Sequence, residues 1–355
     1  MWVVRWSMTS REEIDRLVQL AREANLNTLF VQAYARGEAL YRSDLVPRAT
    51  ELSGTSPDFD PFGLTLTVAH KTGLKVHAWV NLFYAWSQAP FPRSPRHHAN
   101  WHPEWFLADR RGIPLISYSV PELKSAGLEG YFLSPANQQV RVWLRAICAE
   151  ICRKYPVDGI HLDYTRYPEG DYGYDRASRT AFMRKYYVDP LDLTQNDCLL
   201  RTALGESGYA DLQRRWGEFR AEMVTSLVKE IATDLRTIRP GIQVSAAVRA
   251  DPEHARAYLH QDWLNWLGDL DFVVPMCYST KTGFVVNTFS RLLPWVRRGQ
   301  VLAGLGVYNQ PYGGCEEKIE RLRAIGVRGF VLFSYDAIKD DPEYFRQLGR
   351  GAFRK

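Results

Sequence analysis

Short apolar runs alternate with longer amphipathic stretches along the whole chain, a pattern typical of strand–helix units around a parallel sheet. Eight runs are rich in Val, Ile, Leu and Phe, and they cover residues 2–6, 28–34, 75–83, 159–164, 243–248, 272–278, 301–307 and 330–335. Helical patterns follow them, the first with Thr9 or Ser10 as its N-cap and the others at residues 138–155, 209–238, 287–298, 316–325 and 342–350. Eight such units predict an α/β fold, a (β/α)8 TIM barrel that takes residues 1–355 as a single domain.

Three connections that follow strands are much longer than the two to six residues usual between a strand and a helix. They cover residues 35–60, 84–136 and 165–208. Because they follow strands, we predict that they lie at the carboxyl ends of the barrel strands, where barrel active sites are built. They also hold many rings that we expect to contact a ligand, namely Trp86, Trp101, Trp105, Tyr118, Tyr131, Tyr167, Tyr172 and Tyr174.

Composition adds three points to this picture. The chain has 11 Trp, 19 Tyr and 16 Phe, more rings than one core accommodates. Its formal charge of +5 is spread out without a Lys/Arg tract, and no apolar run reaches the ~18 residues of a membrane span, so neither nucleic-acid binding nor a membrane span is expected. The cysteines lack CxxC spacing, so we interpret them as small buried apolar residues; they are Cys148, Cys152, Cys198, Cys277 and Cys315.

The fourth run carries the most informative polar residues. Because side chains alternate along a strand, we predict that His161 and Asp163 point into the barrel, with Asp163 at its mouth and His161 one layer below. An acid inside a barrel is costly unless it is paired or used. We therefore interpret Asp163 as functional; the alternative is a structural carboxylate paired with Arg166.

The third run gives a second inward row, in which His77, Trp79 and Asn81 share one face. This row differs from the Val, Ile and Leu that fill a purely structural barrel. Gln32 on the second run and Arg36 just beyond it are predicted to extend the same wall. Together these side chains indicate a site.

Other candidate contacts stand at or near the ends of further runs, namely Arg166, Tyr167, Arg249, Tyr278, Tyr335 and Asp336. Asp251 and Glu253 place two more carboxylates on the rim after the fifth run. Glycoside hydrolysis characteristically uses two carboxyl groups, one as acid and one as nucleophile or base. The sequence supplies Asp163 and several partners for it on the same face.

Motifs of competing chemistries are missing from the sequence. There is no GxxxxGK[ST] and no GxGxxG opening a helix, which disfavours a nucleotide-phosphate site. There is no HExxH, and His161 with Asp163 would give only two ligands on one face, so we predict no metal and no cofactor. The pair His97-His98 lies in a Pro-rich loop and is expected to be a solvated surface pair.

The first predicted strand follows Met1 directly, without the basic region and apolar stretch of a secretory leader. We expect a cytoplasmic protein, or an extracytoplasmic or cell-envelope protein if a leader has been removed. The sequence does not indicate an oligomeric state.

Six stretches together resemble the bacterial glycosyl-hydrolase-like family 10 proteins, a (β/α)8 group that includes a peptidoglycan glycosidase acting on glycan strands stripped of their peptides. They are FVQAYARGEALYRS (30–43), HAWVN (77–81), VDGIHLDYTRYP (157–168), QDW (261–263), VPMCY (274–278) and FSY (333–335). The resemblance implies a carbohydrate-active barrel with Asp163 as the leading catalytic residue. Some relatives have a second acid directly after it, where this chain has Tyr164.

The residues and the resemblance together give the hypothesis that the protein hydrolyses a bacterial polysaccharide, with peptidoglycan-type glycan the first guess and a poly- or oligosaccharide the binding partner. Asp163 would be the nucleophile or would stabilise an oxocarbenium-like transition state, and His161 and Arg166 would keep it ionised. Asp251 would donate the proton, with Glu253 and Asp336 as alternates. The rival hypotheses are a non-catalytic carbohydrate-binding barrel and a metal-dependent hydrolase.

Overall fold

Eight parallel strands surround a common axis in the computed structural model, which describes residues 1–354. They are β1 (Trp2–Val3), β2 (Thr28–Ala35), β3 (Lys75–Asn81), β4 (Gly159–Asp163), β5 (Gln243–Arg249), β6 (Phe272–Met276), β7 (Ala303–Gly306) and β8 (Phe330–Phe333). Each strand pairs with the next in this order, and β8 lies beside β1, so the sheet is nearly closed. The predicted (β/α)8 fold is confirmed.

Eight helices follow the strands and cover the outside of the barrel. They are α1 (Arg11–Glu23), α2 (Pro61–Lys71), α3 (Gln138–Lys154), α4 (Asp197–Ile238), α5 (Pro252–Leu259), α6 (Thr282–Leu292), α7 (Tyr312–Ala324) and α8 (Pro342–Arg350). The predicted start of α1 is confirmed, since the Ser10 side chain accepts a hydrogen bond from the Glu13 amide. α4 is broken at Gly205, where φ is 70°, so its long regular part begins near the predicted residue 209.

The ends of several elements differ from the predictions by a few residues. β1 ends at Val3 because the chain turns there into a 3-10 helix, Arg5–Ser7, instead of extending to residue 6. This turn brings Arg5 and Trp6 to the mouth of the barrel. α6 begins at Thr282 rather than at residue 287, and a 3-10 turn, Leu293–Trp295, continues it.

The predicted alternation of inward and outward side chains is confirmed on β3 and β4. The outward residues Ala78, Val80, Ile160 and Leu162 belong to the large core between strands and helices. The barrel interior holds a separate cluster that contains Trp2, Val4, Phe30, Trp79, Ala247, Phe272, Val274 and Val331. The interior is therefore filled with rings, and the space for a ligand lies above them.

The long connections fold into small structures of their own. Residues Tyr84–Trp86 and Tyr131–Phe132 form an antiparallel two-stranded sheet, and Arg176–Tyr186 forms a helix. The expectation that His97 and His98 are solvated is wrong, because both are buried beneath this region, with exposures of 0% and 3%. His97 accepts a hydrogen bond from the Ala99 amide through Nδ1, and its Nε2 lies 2.7 Å from the Arg36 carbonyl oxygen.

Four of the five cysteines are buried as expected, and Cys198 is exposed. None of the helices within residues 1–354 combines the length and the apolar character that a membrane span needs.

We predict that Gly159→Ala destabilises the barrel by about 1–3 kcal/mol. A Cβ at this position would lie 2.5 Å from the His77 ring and 2.7 Å from the Gln243 carbonyl oxygen, so the backbone would have to shift. Gly217→Ala in α4 is the matched control, because its Cβ would meet nothing within 4 Å. It should stabilise the helix by about 0.5–1 kcal/mol. Urea unfolding measures the free energy of unfolding of both variants. An equal change in the two would contradict the close packing of Gly159 against His77 and Gln243.

Candidate active site

A cleft of 1480 Å³ opens at the carboxyl ends of the barrel strands. It brings together ten of the residues singled out in the sequence, namely Gln32, Trp79, Asn81, Asp163, Arg166, Arg249, Asp251, Glu253, Tyr278 and Asp336. These residues come from or follow strands β2, β3, β4, β5, β6 and β8. The structure thus places the predicted polar residues on one surface, although they are up to 304 positions apart in the chain (336 minus 32).

The Asp163 carboxyl lies on the floor of this cleft, at the end of β4. It is only 9% exposed and accepts two hydrogen bonds. Trp79 Nε1 donates to Oδ2 at 3.0 Å, and the Tyr164 amide donates to Oδ1 at 2.7 Å. One donor comes from the neighbouring strand β3 and the other from the next residue in the chain, so the barrel backbone sets the direction of the carboxyl.

Burial raises the pKa of Asp163 from 3.8 to about 6, although the Tyr164 amide, the Arg166 charge and the Trp79 N–H all favour the ionised form. Desolvation disfavours a charge because water is replaced by less polarisable side chains. A carboxyl with this pKa holds a proton at mildly acid pH. Proton donors in two-carboxylate sites are tuned in this way.

The backbone directly after Asp163 is strained. Tyr164 has φ +50°, in the left-handed region that costs energy for a residue with a large side chain. Its ring stacks on Tyr84, with 4.5 Å between centroids, and the Arg166 guanidinium lies 5.0 Å from its centre. The stack holds the turn that presents the Tyr164 amide to Asp163.

Arg166 does not pair with Asp163. Its guanidinium binds Glu129 at 3.1 Å, a residue of the long connection between β3 and α3. The alternative interpretation of Asp163 as one half of a structural ion pair with Arg166 is therefore wrong. Arg166 acts on Asp163 only through its charge, at longer range.

His161 lies one layer below Asp163, as predicted, but it does not contact the carboxyl. Its Nε2 accepts a hydrogen bond from Trp2 Nε1 at 3.1 Å, and its Nδ1 lies 2.9 Å from Ser245 Oγ. Burial holds the pKa of His161 well below its ordinary value, so the ring is neutral. The expectation that His161 keeps Asp163 ionised is wrong, because a neutral ring supplies no charge.

Five predicted contacts lie outside the cleft, and each is occupied elsewhere. Two are buried in the barrel interior, His77 against Phe30 and Phe272 and His161 against Trp2. The other three contact residues of loops and helices. Arg36 pairs with Glu51 at 2.5 Å beneath Trp86. Tyr167 packs against His260, and Tyr335 packs against Phe345. None of these five side chains lines the cleft.

The three candidate partner acids differ in their surroundings. Asp251 caps α5, since its Oδ1 accepts from the amides of Glu253 and His254 at 3.0 and 3.2 Å. Glu253 is exposed on the rim. Asp336 is half-buried and accepts from Trp6 Nε1 at 3.3 Å and Ser334 Oγ at 2.5 Å.

The exposed rings of the cleft are not the predicted ones. The rings of the long connections fill local cores: Trp86, Trp105, Tyr131, Tyr167 and Tyr174 are at most 5% exposed, Tyr118 and Tyr172 are half-buried, and Trp101 is exposed outside the cleft. The cleft-lining rings that are largely exposed are Trp6, Phe284, Trp295 and Tyr308, with exposures of 45%, 59%, 74% and 54%. In the sequence, Trp295 belongs to an ordinary helical pattern and Phe284 lies just before it, so only their position above the barrel distinguishes them.

The described part of the chain contains no group of three His, Cys, Asp or Glu side chains arranged as metal ligands. Asn81 offers a different kind of contact. Its Oδ1 is buried in the cleft wall without a hydrogen-bond partner, so it can accept from a ligand hydroxyl.

A sequence profile described as glycosyl hydrolase-like 10 matches residues 2–309. The chain belongs to this family. The glycosyl hydrolase DigH of Escherichia coli strain K12 is 26% identical over 284 residues, which cover 75% of this chain and 57% of that protein. The glycosyl hydrolase YngK of Bacillus subtilis strain 168 is 21% identical over 307 residues, with coverages of 80% and 52%. The chain thus spans little more than half the length of these curated relatives.

Solved structures of glycoside hydrolases share this fold. The glycoside hydrolase domain of PgaB (BpsB) from Bordetella bronchiseptica superimposes with a TM-score of 0.70 at 13% identity, over 97% of this chain and 94% of that one. The catalytic domain of β-amylase from Paenibacillus polymyxa gives a TM-score of 0.65 at 14% identity, over 98% and 96%. This member of the glycosyl hydrolase-like 10 family therefore has the barrel fold of known glycosidases.

We predict that Asp163→Asn stabilises the protein above pH 7 by about 3 kcal/mol. Because burial raises the folded-state pKa from 3.8 to about 6, proton binding favours the fold fully below pH 3.8, and this contribution is lost as the pH rises through about 6. The amide carries no charge at any of these pH values. Urea unfolding of both proteins from pH 4 to 8 should show a difference that grows with pH. A difference independent of pH would contradict the desolvation of Asp163.

Proposed function

We propose that this protein hydrolyses glycosidic bonds of a bacterial polysaccharide, with peptidoglycan-type glycan as the first substrate to test. The observation that carries the proposal is a single carboxyl, Asp163, buried on the floor of a long open cleft with its pKa raised to about 6. Membership of the glycosyl hydrolase-like 10 family supports a sugar substrate. A peptidoglycan-type substrate would place the protein in the cell envelope.

Asp163 is the proposed proton donor, which reverses the role expected from the sequence. A donor must be protonated before the reaction and must give its proton to the leaving sugar oxygen as the bond breaks. Burial gives Asp163 the raised pKa that this role requires.

Asp251 uses one carboxylate oxygen to cap α5 and leaves the other to act on substrate or water.

The second carboxyl is proposed among Asp251, Glu253 and Asp336, all of which line the cleft. In a retaining reaction it attacks the anomeric carbon, and in an inverting reaction it deprotonates the attacking water. Either step needs an ionised carboxylate.

Binding of a sugar chain is supported by the remaining cleft residues. Exposed rings offer flat apolar faces to the C–H surfaces of sugars, and Asn81 Oδ1 can accept a hydrogen bond from a sugar hydroxyl. These contacts also suit a non-catalytic carbohydrate-binding barrel. Cleavage of a glycosidic bond is the property that distinguishes a hydrolase from such a binding barrel.

We predict that Asp163→Asn lowers glycan cleavage by at least ~10²-fold, the contribution of a positioned proton donor. The measurement is the release of reducing ends from peptide-free glycan strands, with the melting curve confirming the fold. Asp262→Asn is the control, since it replaces a cleft-lining carboxylate that pairs with Arg256. Cleavage that survives Asp163→Asn would exclude the assignment, whereas binding without any cleavage by the wild type would favour the binding barrel.

The pH dependence distinguishes the two roles of Asp163. As a proton donor it is active in its protonated form, so we expect kcat/KM to fall as the pH rises through about 6. A nucleophile with the same pKa is active in its ionised form, so kcat/KM would instead fall as the pH decreases below about 6. Initial rates on a soluble glycan between pH 4 and 8 make the comparison, and a rate that rises through pH 6 would refute the donor role.

A further inference from the structure

One wall of the cleft lacks acidic residues. Residues 272–315, here called the acid-free wall, contain no Asp or Glu but include Lys281, Arg291, Arg297 and Arg298. The wall consists of β6, α6, β7 and the start of α7. All acids that line the cleft lie elsewhere, namely Glu129, Asp163, Asp251, Glu253, Asp262 and Asp336. The cleft is therefore electrically asymmetric.

One face of α6 is turned toward the cleft. Its cleft-lining residues follow helical spacing and are Phe284, Asn287, Thr288 and Arg291, with Trp295 on the 3-10 turn that follows. Phe284 and Trp295 are 59% and 74% exposed, which is unusual for large apolar side chains that have no partner. Tyr308 at the end of β7 adds a third exposed ring to the same wall.

Arg291 stands between these rings without a carboxylate. Within residues 1–354, its guanidinium makes no ion pair and no hydrogen bond, and the residue is exposed. Three other arginines of the cleft form ion pairs: Arg5 with Glu51, Arg166 with Glu129, and Arg256 with Asp262. Arg249 is also unpaired, but it lies two residues from Asp251. Arg291 is thus a cleft cation without a carboxylate at ion-pair distance, and the nearest acids in the sequence are Asp271 and Glu316.

We infer that the acid-free wall is a subsite for a carboxylate-bearing sugar, with Arg291 binding the carboxylate and Phe284 and Trp295 contacting the sugar faces. This inference rests on the proposed function, because it specifies the glycan that the same cleft receives. A guanidinium matches a carboxylate in charge and planar geometry and can bind both oxygens at once. In peptide-free peptidoglycan-type strands, each muramic acid carries a free lactyl carboxylate of this kind.

The test compares one glycan in two charge states. Peptide-free strands are used as such or after their carboxylates have been converted to neutral methylamides. Affinity is measured by calorimetry on the Asp163→Asn variant, and KM and kcat are measured on the wild type. Binding is thereby read independently of cleavage.

The matched variants are Arg291→Gln and Arg298→Gln. Both remove one positive charge from an exposed position of the acid-free wall, but Arg298 does not line the cleft. Arg291→Gln should raise KM and Kd for the carboxylate glycan about tenfold, leave kcat within about twofold, and leave the neutral glycan unaffected. Arg298→Gln should change none of these values, and added salt should narrow the difference between the two glycans.

Several outcomes would overturn the inference. Equal effects of Arg291→Gln and Arg298→Gln, or equal effects on both glycans, would show that Arg291 makes no specific contact. A change of oligomeric state on Arg291→Gln, with unchanged glycan binding, would show a protein interface instead. If the wild type neither cleaves nor binds either glycan, the proposed function itself fails, whereas cleavage of both glycans at equal KM leaves the proposed function standing and removes only the subsite.

Discussion

Removal of the Asp163 carboxyl from water is the constraint on which the rest of this site depends. The carboxyl sits on a barrel interior filled by rings such as Trp2, Phe30 and Trp79, which leave no room for bulk water beneath it. Two hydrogen bonds fix its direction, and burial still determines its protonation. A polar or hollow interior would give the same carboxyl an ordinary acidity and another role.

The layer below the carboxyl shows how the barrel can contain polar groups without charge. Trp2 donates to His161, which meets Ser245 on its other nitrogen, so three buried polar side chains bond one another. Burial also lowers the pKa of His77 to about 4, so this ring is neutral as well. A protonated histidine here would favour the ionised form of Asp163 and remove its capacity to donate a proton.

The sequence was sufficient for the barrel and for the inward residues of β3 and β4, because strand alternation is a local property. It was not sufficient for contacts between distant loops. The partner of Arg166 is Glu129, 37 positions away in a long connection, and no local pattern joins them. The burial of His97 and the loop rings has a similar cause, since a connection of this length must build a core of its own to be ordered. Conversely, the exposure of Trp295 depends on where α6 sits over the barrel, which helical periodicity does not specify.

The separation of charges across the cleft has a consequence for proton transfer. Glu129 already raises the pKa of Asp163 through its negative charge, although burial is the larger cause. An acidic glycan would add negative charge to the same cleft. The part of this charge that Arg291 does not neutralise would favour the protonated form of Asp163 further. If the glycan binds as proposed, its place on the acid-free wall, away from the rim carboxylates, limits its repulsion by those acids while keeping this influence on the proposed donor. Substrate recognition and the protonation of Asp163 would then be coupled through charge, even where the groups do not touch.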